Sequence, residues 1–171
     1  MIVVVMGLSG GGKSYIASIL HEDFGFEWLR SDLIRKELAG LKPTQKLDLP
    51  YGEGIYSPQW TMRVYEEMLK RAKELSNMGK DVVLDATFLE DWQRQMVRST
   101  FPEALFLLAY ADEEEILRRL RSRVDISDAN VEVYRKQKEK FVAPHYATVV
   151  NTQKSREELK AVLQRLLFER G

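Results

Sequence analysis

The stretch of sequence that decides the fold reads Ile2-Val3-Val4-Val5-Met6-Gly7-Leu8-Ser9-Gly10-Gly11-Gly12-Lys13-Ser14. Its first part is a β-branched apolar run, which predicts a buried strand. Its second part, residues 7–14, matches G-x-x-x-x-G-K-[ST], a loop whose backbone N–H groups turn inward around a phosphate. An apolar stripe typical of a helix follows, formed by Ile16, Ala17, Ile19 and Leu20. Strand, loop and helix in this order predict a nucleotide-binding site; the alternative is a glycine-rich turn without a ligand.

The residues of this loop have expected parts in such a site. The Lys13 ammonium can reach the β- and γ-phosphate oxygens, and the Ser14 hydroxyl suits Mg²⁺. The helix that begins here points its positive end at the same phosphates. The predicted nucleotide-binding residues are Gly7, Ser9, Gly10, Gly11, Gly12, Lys13, Ser14 and Tyr15.

Composition limits the other possibilities. The 171 residues, 44% of them hydrophobic, suffice for one core, so a single domain over 1–171 is expected. Lys plus Arg and Asp plus Glu both number 26, so no overall basic field favours nucleic acid or a membrane. The chain has no cysteine, which excludes disulfide-linked partners, and its two histidines are too few for a histidine-built metal site. The first apolar run is too short for a signal peptide or membrane span, so a cytoplasmic protein is expected.

Strand-like and helix-like patterns alternate along the chain. Strands are predicted near 2–6, 26–30, 81–86, 104–110 and 146–151, and helices near 13–23, 32–39, 58–78, 90–100, 112–123, 129–141 and 155–169. The strands are continuous apolar runs, which indicates a parallel sheet covered by helices on both faces. The irregular segment 40–58 is either a substrate loop for an acceptor or a surface excursion.

A second constellation, residues 31–35, follows a strand-like segment and begins a predicted helix. Ser31 is the expected N-cap, and Asp32 and Arg35 share one face of that helix. In phosphoryl transfer a carboxylate orients the acceptor hydroxyl, and an arginine holds an anionic acceptor or the transferring group. Asp32 fits the first part and Arg35 the second. The alternative is an ordinary helix cap with an ion pair.

A third element is the apolar strand over 82–84 that ends at Asp85. This is the form of a Walker B strand, whose aspartate holds the Mg²⁺ shell, often through water; the alternative is an ordinary strand-end aspartate. Thr87 and Glu90 fit the capping box [ST]-x-x-[DE], so Thr87 is the expected cap of the next helix. No glutamate follows Asp85 and no N-K-x-D motif is present, which disfavours motor ATPases and GTPases.

The predicted helix over 112–123 begins with acidic residues and ends with arginines, which complements the helix macrodipole without any ligand. At about 100° per residue, these arginines point in different directions. Arg118 points opposite the apolar stripe into solvent, while Arg119 and Arg123 flank the stripe one turn apart. This pair could clamp nucleotide phosphates from a lid over about 118–130, or belong to a solvated face.

Together these residues resemble the P-loop kinase group that includes polynucleotide 5′-hydroxyl kinases, zeta toxins, chloramphenicol phosphotransferase and gluconate kinase. The strongest likeness is to predicted kinases of the AAA-type P-loop family. It is carried by residues 7–14, 31–41, 82–88 and 119–123, and by Ser127-Asp128-Ala129 after them. These segments occur in the right order over most of the chain.

The resemblance implies a three-layer α/β/α fold of the nucleoside-monophosphate-kinase type, with strand order 2-3-1-4-5 and a small lid. It implies an ATP- and Mg²⁺-dependent kinase in which Asp32 activates the acceptor, Arg35 contacts acceptor or phosphate, and Arg119 and Arg123 are lid arginines. The acceptor is expected to be a polynucleotide 5′-hydroxyl or a small hydroxylated molecule. Segment 40–58 has only Lys42 and Lys46 as cations, which disfavours long nucleic acid. The alternative class is a regulatory protein that uses ATP as a switch without a phosphoryl acceptor.

Overall fold

A five-stranded parallel sheet forms the centre of the structure, as the apolar strand segments predict. The strands are β1 (Ile2–Met6), β2 (Glu27–Arg30), β3 (Val82–Asp85), β4 (Leu105–Tyr110) and β5 (Thr148–Asn151). They lie in the order β2-β3-β1-β4-β5, and neighbouring strands pair in parallel. The predicted strand order is confirmed.

The computed structural model describes residues 1–45, 52–122 and 128–169, with only the backbone of 128–130. Its helices are α1 (Lys13–Phe24), α2 (Ser31–Leu38), α3 (Pro58–Asn77), α4 (Asp91–Thr100), α5 (Glu113–Ser122), α6 (Asp128–Lys140) and α7 (Arg156–Phe168). A short 3-10 helix, Gly54–Tyr56, precedes α3 and was not predicted. The predicted helices and strands are all present, with ends shifted by the one or two residues that also separate assignment methods.

Helices cover both faces of the sheet because successive side chains of β1 point to opposite sides. Val3 and Val5 pack in a core layer with the apolar residues of α1 and α7. Val4 and Met6 pack in a second layer with α3 and α4. The result is the predicted three-layer α/β/α architecture.

The register of the strands places their carboxyl ends at one edge of the sheet. Val5 of β1 and Arg30 of β2 both pair with Asp85 of β3. Because the chain leaves β1 at this edge, the glycine-rich loop begins beside Asp85. In parallel α/β sheets ligands bind beyond this edge, so the fold brings the predicted motifs to the expected place.

Two predicted helix caps are wrong. Ser31 is the first residue of α2, whose N-cap is Arg30. Helix α4 begins at Asp91, and its N-cap is Glu90, which forms a capping box with Gln93. The pattern starting at Thr87 failed because a second polar pair, one turn later, makes the same reciprocal hydrogen bonds.

Two predicted segments lie partly outside the described residues. Of the substrate loop over 40–58, residues 46–51 are not described, and of the lid over 118–130, residues 123–127 are not, which include Arg123. Within the described part of the chain, no helix combines the length and apolar character needed to cross a bilayer.

Candidate active site

The phosphate loop, residues 7–14, connects the end of β1 to the start of α1. Gly7, Gly10 and Gly12 have positive φ, a backbone conformation that glycine adopts without steric cost. Helix α1 begins at Lys13, and no side chain caps it. Its first N–H groups are therefore open to an anion at the positive end of the helix.

The loop packs tightly against the ends of β4 and β5. A Cβ atom on Gly12 would lie 2.5 Å from Thr152 Oγ1, and one on Gly7 would lie 2.8 Å from the Ala109 carbonyl oxygen. The Thr152 hydroxyl donates to the Gly11 carbonyl oxygen at 2.6 Å. Thr152 was not predicted, although its place directly after a predicted strand, at the ligand-binding edge, was a usable signal.

Ser14 and Asp85, the two predicted magnesium ligands, lie together. The Ser14 hydroxyl donates to Asp85 Oδ2 at 3.2 Å, and the indole N–H of Trp28 donates to the same oxygen at 3.0 Å. Burial raises the pKa of the Asp85 carboxyl, against the charges of Lys13 and Arg30 and the Trp28 hydrogen bond, which lower it. Adjacent hydroxyl and carboxylate oxygens are hard ligands, so this donor set fits Mg²⁺.

Arg30 belongs to the same cluster and was missed at the sequence level. Its Nη2 donates to Ser14 Oγ at 3.3 Å, and its Nε lies 3.8 Å from Asp85 Oδ2. No motif marks this residue. Only the position of Arg30 at the end of a strand that neighbours β3 could have pointed to it.

Asp32 and Arg35 both lie on α2 at the carboxyl edge, but their surroundings differ. Asp32 is exposed in the first turn of the helix. Arg35 is buried and donates to the Ile55 carbonyl oxygen at 2.6 Å and to Thr61 Oγ1 at 3.2 Å. Burial lowers the pKa of the Arg35 guanidinium, while the nearby charge of Asp32 opposes this. The described hydrogen bonds of Arg35 therefore hold the start of α3.

The arginines of α5 separate as their helical positions predict. Arg118 is 66% exposed and pairs with Glu115, whereas Arg119 is 21% exposed. Arg119 donates to the Gly10 carbonyl oxygen at 3.0 Å and to Thr152 at Oγ1 (3.0 Å) and at the carbonyl oxygen (3.2 Å). The structure thus joins Arg119 to the phosphate loop, while Arg123 lies outside the described residues.

A cleft of about 640 Å³ opens beside the phosphate loop. Tyr15, one of the predicted nucleotide-binding residues, lines it, and so do Arg118 and Arg119 of α5. The segment that follows β5 also lines the cleft, with Thr152, Gln153, Lys154 and Ser155. Its size suits a small-molecule ligand.

One further contact ties the phosphate loop to α6. The Ser9 N–H donates to Gln137 Oε1 at 3.0 Å, and Gln137 is buried. The Ser9 N–H therefore has a hydrogen-bond acceptor within the protein, the Gln137 side chain. Nothing in the local sequence around Gln137 indicated this contact.

Comparison with known structures identifies proteins of the same fold. A sugar kinase from Janibacter sp. is 19% identical, with coverage of 97% of this chain and 93% of that one and a TM-score of 0.73. A gluconokinase from Sinorhizobium meliloti is 20% identical (99% and 97% coverage, TM-score 0.60). A shikimate kinase from Aquifex aeolicus is 16% identical (97% and 96% coverage, TM-score 0.59).

Comparison by sequence points the same way. None of the curated proteins matches this chain significantly. A family model described as AAA domain matches residues 2–144, a range that includes the phosphate loop, α2 and the Asp85 strand. The chain therefore belongs to the AAA domain family and has the fold of the P-loop kinases.

Proposed function

We propose that this protein is a kinase that transfers the γ-phosphate of ATP to a hydroxyl group. The observation that supports this proposal most directly is that the phosphate loop, the Ser14–Asp85 pair and the start of α2 meet at one edge of the sheet. The charge of Asp32 influences the pKa of both Asp85 and Arg35, so this carboxylate belongs to the same electrostatic cluster. This arrangement supports the proposal of a triphosphate site with a carboxylate beside it.

In the proposed reaction the acceptor oxygen forms a bond to the γ-phosphorus. The bond between the γ-phosphorus and the β,γ-bridging oxygen breaks, and the products are ADP and a phosphomonoester. Asp32 orients the acceptor hydroxyl and accepts its proton as the new bond forms. The exposure of Asp32 at the start of α2 is consistent with contact to an incoming acceptor.

On the nucleotide side, the triphosphate binds to the phosphate loop, and the base lies in the cleft between α5 and residues 152–155. Lys13 and the first N–H groups of α1 bind the β- and γ-phosphate oxygens. Ser14 and Asp85 are the residues that would hold Mg²⁺, which when bound supplies positive charge to the transferring phosphate. Arg119, with Arg123 from the lid, stabilises charge at the phosphates.

On the acceptor side, Arg35 acts as a positioning residue. Its hydrogen bonds to Ile55 and Thr61 hold the 3-10 helix and the first turn of α3 against α2. Direct contact of Arg35 with an anionic acceptor remains a prediction.

The favoured acceptor is a small hydroxylated molecule. Three proteins of the same fold are described as a sugar kinase, a gluconokinase and a shikimate kinase, which supports this class. A polynucleotide 5′-hydroxyl is the second candidate, because Arg119 and Arg123 have the spacing of the R-x-x-x-R motif of polynucleotide kinases.

The test is transfer of label from γ-labelled ATP with Mg²⁺ to matched panels of acceptors. The panels are sugars and sugar acids, cyclic polyols, nucleosides, and oligonucleotides with a 5′-hydroxyl. Label is expected on a member of the small-molecule panels. Label on oligonucleotides alone would select the second candidate, and label only as free phosphate would overturn the kinase proposal in favour of a nucleotide-dependent switch or hydrolase.

The acceptor role of Asp32 is tested with Asp32→Asn. Loss of the carboxylate should lower the transfer rate by about a hundredfold or more, because proton transfer and orientation are lost, while the ATP dissociation constant stays within about threefold. Asp81→Asn is the matched control, since Asp81 is exposed at the opposite end of β3, where it pairs with the N-terminus. Unchanged transfer in Asp32→Asn would remove Asp32 from the mechanism.

A further inference from the structure

Arg30 places a fixed positive charge directly on the Ser14–Asp85 pair. Its guanidinium touches Ser14 Oγ at 3.3 Å and lies 3.8 Å from Asp85 Oδ2. The same guanidinium stacks over the Trp28 ring at 4.7 Å, and Trp28 itself donates to Asp85. Stacking on one side and the ion pair on the other hold the charge in place.

This charge bears on any metal ion that binds to the pair. Mg²⁺ lies about 2.1 Å from its oxygen ligands, so an ion on Ser14 Oγ would be no more than about 5.4 Å from Arg30 Nη2 as placed here. Two cations this close in a partly buried site repel each other. A nucleoside triphosphate on the loop adds several negative charges. These outweigh the repulsion from Arg30, so the net interaction of the site with the metal ion becomes attractive.

We propose that Arg30 is a built-in cation of the Ser14–Asp85 pair, beside Lys13, and that its charge excludes free divalent cations and admits metal only together with nucleoside triphosphate. The inference rests on the proposed function, since it concerns the metal ligands assigned there. Arg30 is a specificity-determining residue in this role. It selects the metal–nucleotide complex over the bare ion.

The experiment measures Mn²⁺ binding to the full chain without nucleotide, by the electron paramagnetic resonance signal of the free ion. Arg30→Gln removes the charge and keeps a hydrogen-bonding group, and should bind Mn²⁺ about tenfold or more tightly than wild type. Arg30→Lys keeps the charge and should stay within about threefold of wild type. The matched control is Arg98→Gln, because Arg98 also stacks on an aromatic ring, Tyr146 at 4.0 Å, but lies on α4.

Asp85→Asn added to Arg30→Gln locates the effect. The double variant should lose the Mn²⁺ affinity gained in Arg30→Gln, which distinguishes the Ser14–Asp85 pair from carboxylates elsewhere. Thermal unfolding checks that each variant is folded. If Arg30→Gln is unfolded, Arg30→Met replaces it, because the methionine side chain is long enough to lie over the Trp28 ring.

Equal or weaker Mn²⁺ binding in Arg30→Gln compared with wild type would overturn the inference. So would tighter binding that survives in the double variant. A parallel titration of wild type with Mn²⁺ and ATP together separates this failure from failure of the proposed function. If wild type does not bind the Mn²⁺–ATP complex at all, it is the nucleotide site that is refuted.

Discussion

At the scale of the residue, Arg119 and Arg118 form a natural comparison. They are adjacent on α5 and both pair with Glu115, yet Arg119 also donates to the phosphate loop and to Thr152, while Arg118 is 66% exposed. Because both residues are arginines, a difference in turnover between their variants reflects the position of the side chain and not its charge. The sequence predicted this difference from the helical repeat alone.

Arg119→Met should lower turnover at saturating ATP by about tenfold or more, because the phosphate loop loses the hydrogen bond at Gly10 and the cleft loses a cation. Arg118→Met should lower turnover far less, because Arg118 lines the cleft but is 66% exposed, and an exposed ion pair contributes little. Steady-state kinetics on both variants gives the comparison. Equal losses would mean that the α5 arginines act only through surface electrostatics.

Other residues of the site could not be predicted because their roles depend on contacts between distant elements. Arg30 reaches Ser14 and Asp85 only through the register of β2 with β3. The burial of Arg35 depends on the packing of α2 against α3, which no local pattern records. The Walker motifs, by contrast, were predictable because consecutive residues carry their chemistry.

At the scale of the element, the repeat of apolar residues was sufficient to place the helices and strands. The helices show an apolar stripe with a helical period and the central strands are continuous apolar runs, so the existence and approximate ends of these elements follow from burial. Their exact ends depend on which polar side chain reaches a free N–H group. This is why the starts of α2 and α4 differ from those predicted.

Glu115 provides a test of electrostatics within α5. Hydrogen bonding from Arg118, followed by the effects of Arg119, lowers the pKa of Glu115 from an ordinary 4.5 to about 2. A carboxyl whose pKa is depressed in the folded state stabilises the fold above its ordinary value, and this contribution disappears as the pH falls toward the folded value. Glu115→Gln should therefore lower the unfolding midpoint near neutral pH.

The difference between Glu115→Gln and wild type should shrink as the pH falls from the ordinary 4.5 toward about 2, and should be smaller at high salt. Thermal unfolding followed by circular dichroism at neutral and acid pH measures it. Glu114→Gln, on an exposed neighbour, is the control. A difference that grows on acidification would contradict the assigned sign.

At the scale of the whole molecule, Thr152 connects the last strand to the first loop. It is 1% exposed, its hydroxyl donates to Gly11, and the same oxygen accepts from Arg119. The hydrogen bond to Gly11 spans 141 positions of the chain. Stability of the fold and shape of the nucleotide site therefore depend on the same side chain.

Thr152→Val removes the hydroxyl at nearly constant volume and should lower the free energy of unfolding by about 1–3 kcal/mol, since buried partners lose their hydrogen bonds. The ATP dissociation constant should rise several-fold as the loop loosens. Thr152→Ser should retain most of both properties, and Thr148→Val, at the start of β5, is the control. Denaturant unfolding gives the free energy of unfolding, and ATP titration gives the dissociation constant. Equal values for Thr152→Val and Thr148→Val would refute this role.

The position of Thr152 also limits where the chain can be shortened for expression. The segment by which the family is recognised ends at residue 144, whereas β5, Thr152 and α7 all come later. A fragment trimmed to the recognised segment would keep every motif and yet lack the strand that closes one side of the sheet. For this chain, the boundary of the recognisable signature is not the boundary of the unit that folds, and expression or fusion designs should follow the latter.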